Sequence, residues 1–208
     1  MAEGKLYFAY GSNINLDQMA QRCPDAQVVG PVTLENYELL FHGNLRGAGV
    51  ATIAPREGST VHGLLWNITP ECERSLDYYE GYPHLYGKEP VTVHGHDGQE
   101  HTVMAYVMTE LCKEPAIPSF YYYNGILEGY RQNGLPFNRL LSDERGVPYD
   151  IVCGTFFMAG LGSEDFTSLT DDQIRRYKKM LDNRMVFTVP AKAQAEKNHP
   201  KKGKSHER

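Results

Sequence analysis

The seven residues Tyr7-Phe8-Ala9-Tyr10-Gly11-Ser12-Asn13 constrain what this chain can fold into more than any other stretch. An aromatic-rich run with period-2 alternation over residues 5–10 reads as a buried strand. It stops abruptly in Gly11-Ser12-Asn13. An amphipathic segment follows at once, from Asn15 to Cys23, with Leu16, Met19 and Ala20 on one helical face. A strand that enters a helix through so tight a turn leaves several backbone N–H groups unpaired and pointing one way. Such a cluster can hold a carboxylate or a developing oxyanion. The same residues also suit a plain helix entry, in which Gly11 permits the turn and Ser12 or Asn13 caps the helix. The local pattern leaves both readings open.

The segments that follow are mostly strand-like and closely spaced. Residues 28–32 and 37–42 read as strands, and Gly43, Gly47 and Gly49 punctuate a loop that exposes Asn44 and Arg46. Residues 50–54 and 61–68 look like two hairpin strands connected through 55–60. Thr69-Pro70-Glu71 is a helix start, with a hydroxyl cap, proline in the first turn and an acid after it. Cys72, Leu76 and Tyr79 share a face of that helix, and Gly81 is placed to stop it. Residues 91–95 and 102–108 are strands joined around Asp97-Gly98, a tight-turn dipeptide. Residues 119–133 read as a helix ended by Gly134 and Pro136, with Tyr122, Ile126, Leu127 and Tyr130 on its apolar side. About six strands on short loops, with helices outside them, assemble naturally into a small, mainly antiparallel, barrel-like α+β domain over residues 1–140.

Residues 141–190 differ in character and read as a small α/β accessory module of unknown function. Residues 151–159 are strand-like, and Thr170-Asp171-Asp172-Gln173 is a capping box opening a helix. Residues 191–208 carry a net charge of +4, so the preceding 190 residues carry −9 of the total −5. An acidic body argues against nucleic-acid binding. The basic tail lacks apolar periodicity and is expected to be disordered. No apolar run approaches the about 18 residues of a membrane span. The start of the chain lacks the apolar region of a signal peptide, so a cytoplasmic protein is expected. Cys23, Cys72, Cys112 and Cys153 are far apart and form no metal-spaced pair, which suits reduced, buried thiols.

Among the groups that could do chemistry, Glu80 stands out. Leu76-Asp77-Tyr78-Tyr79-Glu80-Gly81-Tyr82 places a carboxylate at a helix end among aromatic side chains. Aromatic burial and the negative helix terminus both disfavour the ionised form. A proton affinity raised toward neutral pH suits a general acid/base; the alternative is a surface glutamate in a last turn. His62, His84, His94, His96 and His101 have no third ligand at a characteristic spacing, so no metal is expected. Ser12 lacks the second glycine of a nucleophile elbow. The Gly47/Gly49 loop has neither a Walker lysine nor dinucleotide spacing.

In order along the chain, Tyr7 to Asn13, then Gly49-Val50-Ala51-Thr52-Ile53, then Leu76-Asp77 ahead of Glu80-Gly81, resemble the γ-glutamylcyclotransferase superfamily. Pro118-Ser119 and the helix ending Asn133-Gly134-Leu135-Pro136 resemble the same family, so the likeness covers about residues 5–140. It implies a six-stranded barrel and cyclisation of a γ-glutamyl amine or amino acid to 5-oxoproline, with release of the amine and without a cofactor. By position, Glu80 matches the family's catalytic glutamate. Tyr7, Tyr10, Gly11, Ser12 and Asn13 match its substrate-binding loop, and Tyr86 and Tyr106 match pocket tyrosines. The small-molecule γ-glutamyl substrate is then the expected partner, with the oligomeric state undetermined. The span from Glu80 to Tyr86 is one residue shorter than in the branch acting on γ-glutamyl amino acids and resembles bacterial and γ-glutamylamine-acting relatives. Residues 149–157 and 166–170 resemble a small uncharacterised bacterial module. The alternative to an enzyme is a non-catalytic binding protein that keeps the anion-binding pocket and interacts through its C-terminal extension.

Overall fold

The alternation of residues 5–9 becomes strand β1 (Lys5–Ala9), which leaves Lys5 in solvent and buries Tyr7, Phe8 and Ala9. The computed structural model describes residues 4–44, 48–112, 114–116, 118–136 and residue 175. The expected module at 141–190, its strand at 151–159 and capping box at 170–173, the tail at 191–208, Cys153, Arg46 and Gly47 lie outside those residues.

The other strands are β2 (Gln27–Gly43), β3 (Gly49–Ile68), β4 (Tyr86–Gly95) and β5 (Glu100–Met108). They close into a barrel in the order β1-β3-β2-β4-β5. Neighbours are antiparallel except where β1 meets β5 in parallel, with Tyr7 opposite Met104. The barrel therefore has five strands rather than six. Segments expected as separate strands are halves of β2 and β3, which form one long hairpin from Gln27 opposite Asn67 to Gly43 opposite Gly49. Residues 55–60, expected as the connection, lie within β3, and the pairing of the two strands runs on to Gly43 opposite Gly49. There the Asn44 N–H donates to the Ala48 carbonyl at 2.9 Å, and the Ala48 N–H donates to Asn44 Oδ1 at 3.2 Å.

Bulges explain the difference. Asn36, at φ 59°, sits opposite residues 56–59, and its side chain accepts from the Gly58 N–H at 3.0 Å. A bulge interrupts the two-residue alternation without ending the ladder. One strand then resembles two in sequence.

The helices follow the sequence signals closely. α1 (Leu16–Arg22) is capped by Asn15, whose Oδ1 accepts from the Gln18 N–H. A 3-10 turn, Ser12–Ile14, separates it from β1. α2 (Pro70–Glu80) is capped by Thr69. It ends at Gly81 in the left-handed region, φ 65°, where the Tyr82 N–H reaches back to the Asp77 carbonyl at 2.9 Å. Glycine, without a Cβ, takes that conformation most readily. α3 (Phe120–Gln132) is capped by Ser119 and lies against the 3-10 turn. A Cβ on Gly129 would fall 2.6–2.9 Å from Ile14 and the Asn15 nitrogen, so the helix backbone itself rests on the turn. Asn133 Nδ2 donates to the Ile14 carbonyl at 2.8 Å, and Asn15 Nδ2 to the Gly125 carbonyl at 2.9 Å. Phe8, Ile14, Met19, Leu64, Leu76 and Ile126 are essentially inaccessible and belong to one continuous core. Cys23, Cys72 and Cys112 are free and buried within it. Burial, together with the neighbouring Cys72, pushes the Cys23 thiol up to about 12.

Candidate active site

The rim of the barrel next to the 3-10 turn encloses a cavity of about 230 Å³. Tyr7, Tyr10, Gly11, Ser12, Asn13, Glu80, Tyr86 and Tyr106 all line it, so the fold gathers at one place the residues that the family resemblance assigns to the site. Among the described residues lining it, Glu80 is the one carboxylate, and no lysine, arginine or histidine is among them.

The 3-10 turn takes Ser12 and Asn13 away from the helix cap expected of them. Because Asn15 caps α1, the Ser12 and Asn13 side chains are free for other partners. Asn13 is 3% exposed and held on four sides. Arg22 Nη1 donates to its Oδ1 at 2.6 Å, and Trp66 Nε1 donates to its carbonyl at 3.1 Å. Its Nδ2 donates to Glu80 Oε1 at 2.7 Å and to the Tyr7 hydroxyl at 2.8 Å. At Gly11, where φ is −99°, the constraint on a side chain is tight space. A Cβ there would stand 3.1 Å from Ala51 Cβ and 3.6 Å from the Tyr122 hydroxyl. Ser12 Oγ accepts from Arg22 Nη1 at 3.3 Å and lies 3.1 Å from the Tyr79 hydroxyl, so it braces the wall.

Glu80 is the last residue of α2, where Gly81 turns the chain away. Desolvation by the surrounding rings raises its proton affinity to about 7, opposed by the Asn13 hydrogen bond and the Arg22 charge. A carboxyl poised there exchanges protons readily at neutral pH. The tyrosines stay neutral: burial, with the Glu80 charge adding, lifts Tyr7, Tyr10, Tyr86, Tyr106 and Tyr122 well above an ordinary phenol.

Three of these phenols have their protons committed within the protein. Tyr10 donates to the Tyr106 carbonyl, Tyr86 to the Ala51 carbonyl at 2.7 Å, and Tyr106 to Asp77 Oδ1. They offer lone pairs and ring faces to whatever fills the cavity. Tyr7 accepts from Asn13, which leaves its own O–H to point elsewhere.

Sequence reasoning missed several members of the site. Tyr79, read as part of the α2 core face, is 42% exposed, and its hydroxyl accepts from Arg22 Nη2 at 2.8 Å. Tyr122, read as apolar lining of α3, accepts from the Ala51 N–H at 3.1 Å. Arg22 was not singled out. Its signal was the i, i+4 spacing from Gln18, whose Oε1 accepts from Arg22 Nη2 at 2.6 Å. Asn44, Val50, Ala51 and Leu85 complete the lining.

A family model described as gamma-glutamyl cyclotransferase, AIG2-like, matches residues 7–124. A second, described as a domain of unknown function (DUF3846), matches residues 127–182. The bovine and human proteins named gamma-glutamylcyclotransferase are each 36% identical over 142 residues, spanning 64% of this chain and 74% of theirs. A solved structure titled gamma-glutamyl cyclotransferase superposes with a TM-score of 0.60 at 34% identity, covering 64% of this chain and 82% of that one.

Proposed function

The chain belongs to the gamma-glutamyl cyclotransferase, AIG2-like family, and from that premise we propose that it cyclises a γ-glutamyl amine or γ-glutamyl amino acid to 5-oxoproline, with Glu80 as general acid/base. The observation that carries this reading is a lone carboxyl of raised proton affinity, about 7, held by Asn13 inside a tyrosine-walled cavity.

In this mechanism Glu80 removes a proton from the substrate's α-ammonium, freeing the amine to attack its own γ-carbonyl. The carbon–nitrogen bond of the ring forms as the carbonyl oxygen takes up negative charge. Three hydrogens on the attacking nitrogen become one on the lactam, and the two protons shed end on the departing amine. Glu80 protonates the leaving nitrogen as its bond to carbon breaks. Ring closure is intramolecular, so holding the substrate in a folded pose removes much of the entropic barrier. The backbone N–H groups of Gly11 and Ser12 hold the α-carboxylate or the oxyanion, where one donor is worth about 3 kcal/mol. The Tyr7 O–H adds a side-chain donor, and the lone pairs of the committed phenols face the ammonium.

Incubation with a panel of γ-glutamyl amino acids, γ-glutamylamines and γ-glutamyl-lysine peptides tests the proposal. Release of 5-oxoproline from one class, abolished in folded Glu80→Gln, supports it and identifies the leaving group. Release that persists in Glu80→Gln removes Glu80 from the chemistry, and a folded protein inactive on every class points to the binding role instead.

A further inference from the structure

We infer that Arg22 is a positioning residue: its guanidinium fixes the polarity of the Asn13 side chain so that the amide nitrogen, not the amide oxygen, faces Glu80.

The geometry admits one assignment. An arginine can only donate, and Arg22 Nη1 lies 2.6 Å from one terminal atom of the Asn13 amide, which must be oxygen. The other terminal atom is then nitrogen, with two hydrogens, and it stands 2.7 Å from Glu80 and 2.8 Å from Tyr7. Rotated by 180°, the amide would turn its oxygen to the carboxylate and its nitrogen to the guanidinium, leaving two donors and two acceptors face to face. The arrangement in place stabilises ionised Glu80; the reversed one could be satisfied only by a protonated Glu80. Arg22 is itself held by Gln18 Oε1 at 2.6 Å and the Tyr79 hydroxyl at 2.8 Å, and its guanidinium lies over the Tyr79 ring, 3.7 Å from the centroid. Its fork is therefore set before substrate arrives.

The titratable groups around the Glu80 carboxyl are Tyr7 from β1, Tyr10 just after it, Tyr79 from α2, Tyr86 from β4, Tyr106 from β5 and Tyr122 from α3. Asp77, on the same helix, is engaged by Tyr106 and Lys88. Among the described residues Arg22 is the one cation acting on Glu80, through its charge as well as through Asn13. Loss of Arg22 removes both effects, and both act in the same direction.

This inference rests on Glu80 as the proton-exchanging group, and its test is separable from that reading. Carboxyl-13C glutamate labelling, with the Glu80 resonance assigned by its absence in Glu80→Gln, follows the titration midpoint directly and needs no substrate. In Arg22→Met the midpoint rises by about one unit or more. In Arg22→Lys, which keeps the charge but not the fork, it rises less. In Gln18→Ala, which loosens Arg22 without touching Asn13, it rises slightly. In the active protein the acid limb of the pH–rate profile moves upward with it in Arg22→Met, and turnover recovers above that limb. A purely structural role would lower the rate equally at all pH. A folded Arg22→Met with an unmoved Glu80 midpoint overturns the inference. If the midpoint moves while Glu80→Gln keeps full turnover, the positioning role stands and the acid/base assignment falls.

Discussion

Asn13 Nδ2 lies 2.7 Å from Glu80 Oε1, a hydrogen bond that joins the first turn of the chain to a helix end 67 residues later. The second hydrogen of the same nitrogen goes to Tyr7. One buried amide thus links the opening strand, the 3-10 turn and the proposed acid/base, and changes to it should be felt at all three.

Asn13→Ala removes the donor that favours ionised Glu80 and leaves Glu80 and Tyr7 without it. The acid limb of the pH–rate profile should move upward, with turnover at pH 6 falling more than turnover at pH 8. Asn13→Asp should move it further, because two carboxylates at this separation share a proton. Initial rates of 5-oxoproline release across pH 5–9 decide the matter; an unmoved limb in both variants counts against the hydrogen bond as a determinant.

Glu80 should also leave a mark on stability. Its folded midpoint of about 7 lies above the ordinary ~4.3 of an unfolded glutamate. As pH rises the unfolded chain sheds the proton first, so stability falls between about 4.5 and 7 and the loss is complete above 7. Glu80→Gln escapes that loss. Its stability relative to the native chain, read from the melts, should climb across that window and level off above it, by an amount on the order of 4 kcal/mol. Calorimetry at pH 4.5, 6 and 8 measures this, and a difference that stays flat or falls with pH would contradict the buried carboxyl.

Tyr7→Phe deletes the hydroxyl of a buried, cavity-lining residue that accepts from Asn13. We expect at least about a tenfold loss in kcat/KM, with a small change in melting temperature, since the ring and its edge-on contact with Tyr106, 5.6 Å between centroids, remain. Steady-state kinetics beside a thermal melt would separate the two effects; unchanged kinetics would place Tyr7 in the wall only.

Gly11→Ala pushes a methyl against Ala51 at 3.1 Å and toward Tyr122 at 3.6 Å. The fold should survive with a loss of about 1 kcal/mol, while KM rises as the turn is displaced into the cavity. Adding Ala51→Gly removes the opposing methyl, and the double variant should regain most of the affinity. Absence of any rescue would mean that the contact with Ala51 is not what excludes a side chain at Gly11.

Much of the local architecture was legible in the chain. Thr69-Pro70-Glu71 opens α2 and Gly81 closes it, so the position of Glu80 at a helix end followed from capping chemistry alone. The Asp97-Gly98 turn and the end of α3 near Gly134 were equally local. Where bulges intervened, as at Asn36, the alternation broke and one strand looked like two. The capping role expected of Ser12 or Asn13 went instead to Asn15, because a 3-10 turn occupies the space between strand and helix.

By itself the sequence determined the caps, the turns, the aromatic first strand and a carboxylate at the end of a helix, since each depends on neighbours within a few residues. Only the tertiary structure decided that Tyr7, Asn13, Arg22, Tyr79 and Glu80 share one hydrogen-bonded cluster, and which end of the Asn13 amide faces the carboxylate. Barrel closure brings together groups 57 to 67 residues apart. The raised proton affinity of Glu80 comes from the desolvation that closure imposes. The Tyr7-to-Asn13 stretch could announce a turn with unpaired donors; the acid across from it came from elsewhere in the chain.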